Sequence, residues 1–263
     1  MADPNLPGSP FAGGFDVADD APLLTIAPEE LKRVLADHER HVASRQRSGK
    51  RAKLDSTDLA GQRFAGMALR RIQLRRANLK GADFRGADLG RALLIGARLS
   101  DGRLAAADLT RGRLSGINLE DADGPGACLA GADIEFAIMA KANFQGADFH
   151  DADMSGVILD GADLTGADLR RANLRGASFE ETRLRGADLR RARLGGAFLT
   201  RTDLAGADLR GAYLRKAEFE GVDLAGADLR GAKGLTGEQL DGAVLDAGTR
   251  LPQRLARERE HGE

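Results

Sequence analysis

From Leu59 to Leu229 every fifth residue is Leu, Phe, Ile or Met, with Gly124 as the one exception. The run spans 35 positions, and no insertion or deletion shifts its frame. The residue two before each centre is usually small or β-branched, Ala in 24 of the 35 cases, and the one between is commonly Asp or Asn. Residues 161–170 read G-A-D-L-T-G-A-D-L-R. A period of five matches neither the 3.6 of an α-helix nor the 2.0 of a strand, so either element would scatter these leucines over several faces. A different winding is predicted, one in which a short unit stacks on its neighbours.

The units resemble the pentapeptide-repeat family, whose signature is A-[D/N]-L-x-x. A-D-F-R-G at 82–86, A-N-F-Q-G at 142–146 and D-L-A-G-A-D-L-R-G at 223–231 carry the likeness, which covers about two thirds of the chain. The resemblance implies an all-β solenoid, a right-handed quadrilateral β-helix with four pentapeptides to a coil. The central Leu or Phe and the preceding Ala would then point inward, with Leu164, Leu169, Leu174, Phe179, Leu184 and Leu189 among the core. A narrow square bore suits one large and one small side chain per side, and Ala and Gly permit the tight corners. Thirty-five repeats make about nine coils, roughly 42 Å of rod at an inter-strand spacing of about 4.8 Å.

Open ends of such a rod expose unpaired backbone and core leucines, so caps are expected at both. Residues 28–44 start with Pro28, Glu29 and Glu30 and place Leu31, Val34, Leu35, His38 and Val42 on one face, which predicts a helix over the first coil. After the repeats, Thr236 and Gln239 have capping-box spacing, and Leu240, Val244 and Leu245 supply a short apolar face. Pro252 and a charged tail from Arg254 to Glu263 follow, a further helical turn or a frayed end. The domain reading is a disordered arm over 1–24, a helical cap and basic linker over 25–57, the β-helix over 58–232, and a second helical cap with its tail over 233–263. Phe11 and Phe15 in the arm form a short docking motif or belong to an inert tail.

Charge refines this picture. Lys and Arg number 39 against 40 Asp and Glu, which excludes a wholly basic nucleic-acid coat and a wholly acidic DNA mimic. The balance conceals segregation along the axis: +8 over residues 59–119, −10 over 120–169 and +4 over 170–232. Aromatic residues are only 4 % of the chain, with no Trp, so Leu and Ala must fill the interior. Cys128 is the only cysteine, which excludes an intramolecular disulfide and suits a reducing, cytoplasmic setting. No apolar run approaches the ~20 residues of a membrane span, and the N-terminus lacks the charged and apolar regions of an export signal, so neither insertion nor export is expected.

Folding the numbering by twenty predicts columns down the rod. One aligns Asp88, Asp108, Cys128, Asp148, Asp168, Asp188, Asp208 and Asp228, acids expected to bond nearby backbone. Beside it run Arg70, Arg71, Arg91 and Arg111, then Arg170, Arg171, Arg190, Arg191, Arg210 and Arg230. Either neighbouring carboxylates neutralise that edge as a salt-bridge ladder, or an anionic partner does. The acidic belt coincides with the worst departures from the repeat, Gly124-Pro125-Gly126 and I-E-F-A-I-M at 134–139. Phe136 and Ile138 should point outward there with Ile158 one coil on, as a recognition patch or as drift at tolerant positions. Gly-Pro-Gly leaves open whether a pentapeptide is looped out.

Catalysis needs groups converging in a cleft, whereas a filled rod has convex faces, so no enzymatic activity and no cofactor or metal is expected. No H-E-x-x-H, C-x-x-C or Walker-type loop occurs. His38 and His41 with Asp37 have metal-binding spacing, but His38 falls on the capping face and reads as a packing residue. Cys128, Asp148 and His150 should be neighbours, a thiol, a carboxylate and an imidazole with nothing to enclose them.

The sequence thus favours a non-enzymatic bacterial scaffold that shows charged columns and a small apolar patch to a protein partner. The resemblance adds a second reading, because some quinolone-resistance members of the family resemble duplex DNA and bind DNA gyrase; those are uniformly acidic, and here only the belt is. Direct phosphate contact through the Arg edge is the third, and the lack of interleaved aromatics disfavours single-stranded nucleic acid. The chain is a monomer, or a dimer through Leu240, Val244 and Leu245.

Overall fold

The computed structural model describes residues 22–260. Between Lys53 and Lys233 the chain returns onto itself every twenty residues. Lys53 pairs in parallel with Gln73, Asp58 with Asn78, Arg63 with Asp83 and Ala68 with Asp88, and the interval holds through Tyr213 and Lys233. Four contacts per coil make four sides. The register crosses Gly124-Pro125-Gly126 unchanged, since Asp123 pairs with Asn143 and Cys128 with Asp148, so the tripeptide lies within a coil and is not looped out.

The sides are isolated bridges, not strands, which refines the expectation of an all-β solenoid. The reason is the corner. Ile72 N donates to Leu69 O at 3.0 Å, closing a turn whose third residue, Arg71, has φ 62°. A type II turn requires that left-handed residue, and one follows every five residues, so no side is long enough for a continuous ladder. Each side is tied to the next coil by its backbone, as in Leu74 N to Leu93 O at 2.8 Å and Arg76 N to Ile95 O at 2.9 Å.

The central side chains fill the bore. Leu164, Leu169, Leu174, Phe179, Leu184 and Leu189 are each fully buried, and Phe219, near the C-terminal end, is the most exposed of the series at 5 %. Burying one such side chain stabilises the fold by about 2 kcal/mol. Phe64 and Phe84 stack with centroids 4.7 Å apart. Gly124, the one missing centre, is covered from the next coil: a Cβ there would lie 2.5 Å from the Phe144 ring. Where Thr replaces the small Ala, it is buried and satisfied, Thr182 Oγ1 donating to Leu159 O at 2.7 Å and Thr202 Oγ1 to Phe179 O at 2.8 Å.

Helix α1 spans Pro28–Ala43, with Pro in its first turn and Glu29 and Glu30 at its positive end. Leu31 and Leu35 are buried in the same cluster as Ala52 and Leu54 of the first coil, with Val34 partly buried against it. His38 is fully buried, and its Nδ1 accepts from Ala52 N at 3.1 Å. Leu24, assigned from sequence to the arm, pairs with Thr57. Phe11 and Phe15 lie outside the described residues.

At the other end α2 covers Gly237–Asp241 and begins with the predicted capping box, Thr236 and Gln239 bonding each other's backbone N–H. Gln239 Nε2 also donates to Leu214 O at 3.0 Å and Ala217 O at 2.7 Å, satisfying carbonyls of the last coils. Leu240 is buried, but Val244 is not on the helix. It is 57 % exposed and pairs with Asp223, because the chain resumes the ladder after α2, as Arg250 does with Asp228. Helix α3, Gln253–Glu260, follows Pro252 and buries Leu255. Among the described residues no helix is long and apolar enough to cross a membrane.

Candidate functional site

Two surface features stand out from a bare repeat: the arginine edge and the apolar column in the acidic belt. The edge is built on the aspartates. Asp168, Asp188, Asp208 and Asp228 each accept from the backbone N–H two residues on, at 3.0–3.1 Å, as an Asx turn does. That N–H belongs to Arg170, Arg190, Arg210 or Arg230, so each guanidinium starts beside the carboxylate that capped its own backbone. Arg190 Nη2 reaches Asp188 at 2.5 Å, Arg210 Nη2 reaches Asp208 at 2.6 Å and Arg230 Nη2 reaches Asp228 at 2.6 Å, while Arg170 clasps Asp168 in the same two-pronged way. Three of them also lie near the aspartate of the next coil, Arg170 to Asp188 and Arg190 to Asp208 both at 3.7 Å and Arg210 to Asp228 at 4.0 Å.

The result is a continuous ion-pair ladder. The Arg210 guanidinium holds the Asp208 carboxyl below the usual carboxylate range, and Arg230 does the same to Asp228. Arg171 pairs with Asp151 one coil back at 2.5 Å. Of the six arginines singled out from the sequence, Arg191 alone has no ion pair or side-chain hydrogen bond among the described residues. Arg170, Arg171, Arg190, Arg191 and Arg210 together line a depression of about 330 Å³, and Arg230 lies outside it.

The apolar column is assembled by the twenty-residue register. Ile138 is 38 % exposed and pairs with the half-buried Ile158. Phe136 sits at a left-handed corner with φ 54°, is 49 % exposed, and lays its ring over Gly156, where a Cβ would be 2.6 Å away. The same column continues through Ser178 to Phe198, which sequence reading passed over although its number differs from that of Ile138 by three coils. Glu135 beside the patch accepts from Ser155 Oγ at 3.2 Å.

The remaining chemistry is dispersed. Cys128 Sγ is 3.9 Å from Asp148 Oδ2 and 3.3 Å from Thr110 Oγ1, and His150 Nδ1 is 2.6 Å from Asp148 Oδ1. The three groups meet as predicted, on an open face. Asp148, His150 and Asp168 bring potential ligand atoms within 4.8 Å of one another, yet Asp168 is clasped by Arg170, whose charge opposes a cation there. His38 and His41 stack at 6.4 Å. Burial lowers the pKa of His38, against the pull of the Leu69 carbonyl, and its neighbour Asp37 pairs with Arg40, so this set packs the cap.

The chain matches the family model for pentapeptide repeats, in eight copies, at residues 52–91, 87–123, 127–166, 167–206 and 202–233. The matched stretches skip residues 124–126, where the repeat departs from its pattern. Among solved structures it is similar to HetL, a pentapeptide repeat protein involved in heterocyst differentiation regulation from the cyanobacterium Nostoc sp. strain PCC 7120. Identity is 29 % over 87 % of this chain and 98 % of that one, with a TM-score of 0.58. It is also similar to a trypsin-treated variant of QnrB1, a plasmid-mediated fluoroquinolone resistance protein, at 23 % identity over 80 % of this chain and 96 % of that one, with a TM-score of 0.37. No curated protein matches the chain.

Proposed function

Since the chain belongs to the pentapeptide-repeat family and takes that family's right-handed quadrilateral β-helix, we propose that it is a non-enzymatic scaffold of about nine coils, helically capped at both ends, that docks a protein partner on its apolar column. One observation carries the reading: Phe136 and Ile138 stand 49 % and 38 % exposed amid a stretch of charge −10, where a solubilising surface would have no large apolar groups. The ion-pair ladder shifts weight away from the arginines, because Arg170, Arg190, Arg210 and Arg230 are already neutralised within the rod. On the C-terminal part of that edge a partner would find Arg191 without an ion pair among the described residues. The lone thiol fits the reducing cytoplasm of a bacterium, where we place the protein.

A second reading, a DNA-mimic modulator of DNA gyrase, draws on the acidic belt itself; the basic thirds on either side limit how far a phosphate backbone could be imitated. Dimerisation through the C-terminal cap would rest on Val244, because Leu240 is spent on the core.

The test is a tagged pulldown from bacterial lysate, nuclease-treated, with three baits: wild type, Phe136→Asp with Ile138→Glu, and Arg170, Arg171, Arg190 and Arg191 all changed to Glu. The reading expects a defined protein on wild type, retained by the arginine variant and lost by the apolar one. Asp at a corner is compatible with the fold, since Asp151 has φ 58°. Capture of gyrase subunits, with inhibition of supercoiling by the purified protein, would replace it with the second reading. Loss from the arginine variant alone would move the docking surface to the edge.

A further inference from the structure

The N-terminal end holds a second cationic surface of a different kind. Helix α1, the segment that follows it and the first coils enclose a groove of about 1120 Å³. Eight Lys and Arg line it against one carboxylate, Asp37, which is paired with Arg40 outside the lining. Arg33 leans on Glu30 at 3.8 Å and Arg70 on Asp88 at 3.3 Å. The other six, Arg45, Lys50, Arg51, Lys53, Arg71 and Arg91, have no carboxylate partner among the described residues. Arg51 faces only the uncharged amide of Gln73.

The contrast with the C-terminal half identifies what is missing. Arg171 is neutralised by Asp151, which stands one coil back in its own column. In the first coils the same column reads Arg51, Arg71, Arg91 and Arg111, so each of these cations stands beside another cation where Arg171 stands beside an acid. Successive coils are about 4.8 Å apart, and unscreened like charges at that spacing repel. Ion pairs therefore account for the C-terminal edge apart from Arg191 and leave this run of cations unexplained.

The groove is also preformed. Gly49, at φ +73°, lies so close to α1 that a Cβ would come within 2.3 Å of Asp37 O and 2.7 Å of His41 N. This pins the Lys50–Lys53 segment against the helix, and Ser44 Oγ, accepting from Ser48 N at 2.9 Å, closes the intervening turn. Cations fixed in a concave site bind an anion with less ordering cost than mobile surface lysines do. No aromatic side chain lines the groove except the imidazole of His41, so a base would have little to stack on and the phosphates would be the part recognised.

We propose that this groove is a binding site for a compact oligophosphate, a ligand with three or more linked phosphates, either as an inorganic chain or as the tail of a nucleoside polyphosphate. The site recognises density of negative charge and not the nucleoside. It is separate from the apolar column, so its failure leaves the scaffold reading untouched.

Isothermal titration of the full chain at 150 mM salt with inorganic tripolyphosphate, ATP, AMP and a short DNA duplex tests this. Tripolyphosphate and ATP are expected to bind with similar affinity and AMP at least tenfold more weakly. Arg71→Glu with Arg91→Glu should weaken tripolyphosphate at least tenfold. Glu181 occupies such a corner at φ 56°, so the charge reversals suit the backbone, and circular dichroism confirms folding. Lys50→Gln with Lys53→Gln, which leaves the corners untouched, should weaken it in the same direction. Arg190→Glu with Arg191→Glu should bind as wild type does. Equal binding by wild type and both groove variants, no heat with tripolyphosphate, or binding of the duplex alone would each overturn the proposal.

Discussion

Gly124 looks like a defect in the repeat, yet the space its side chain would fill is taken by the ring of Phe144 one coil on. Restoring the repeat should therefore harm the protein. Gly124→Leu is expected to destabilise by about 1–3 kcal/mol through overpacking, and Gly124→Leu with Phe144→Leu to recover most of the loss, as read by urea denaturation of the two variants against wild type. The pairing was legible in the numbering, since 124 and 144 differ by one coil; what the sequence does not display is that a larger neighbour compensates a missing one. A second residue carries a pH signature. Arg85 hydrogen-bonds Asp83 at 2.6 and 2.8 Å and holds its carboxyl down to about 2, against the upward push of burial. Its folded pKa lies below the unfolded one, so its contribution is complete above about pH 4 and fades as pH falls towards 2. Asp83→Asn should flatten the melting temperature between pH 4 and 2 relative to wild type, and an unchanged slope would contradict the assignment.

Elements were read unevenly, for a physical reason. Helix α1 and the capping box of α2 follow local rules, Pro and acids at a first turn and Thr three residues before Gln, so spacing alone finds them. The fate of Val244 does not. Whether the chain after Asp241 stays helical or rejoins the last coil depends on carbonyls left open more than twenty residues earlier, and Val244 N finds Val222 O at 2.8 Å. Gln239 illustrates the same dependence, because its side chain serves both its own helix and the carbonyls of Leu214 and Ala217. Thr236→Ala should cost about 1 kcal/mol, the usual loss of an N-cap. Gln239→Ala should cost more, about 1–3 kcal/mol, because it also strips partners from the coil beneath. Equal losses in chemical denaturation would show that α2 caps only itself.

At the scale of the whole molecule, the fold and its charge zones were readable because both are periodic in the sequence. The arginine ladder was read only as one of two alternatives, because pairing depends on where each guanidinium turns. The basic groove leaves no mark in the twenty-residue columns of the sequence, since it needs α1 to fold back over the rod, a contact that no period of twenty contains. In a solenoid each coil touches only its neighbours, so stability propagates by nearest-neighbour interfaces and a fault at one end need not melt the other. Leu35 joins α1 to the first coils and is buried, so Leu35→Asp should release the helix. Hydrogen exchange is then expected to rise over residues 28–75 and to stay at wild-type protection over 150–230. The same variant should lose tripolyphosphate binding, because α1 forms one wall of the groove. Loss of protection throughout the rod would mean that the coils unfold as one cooperative unit; loss confined to α1, with the first coil still protected, would mean that the helix shields the groove without stabilising the rod's end.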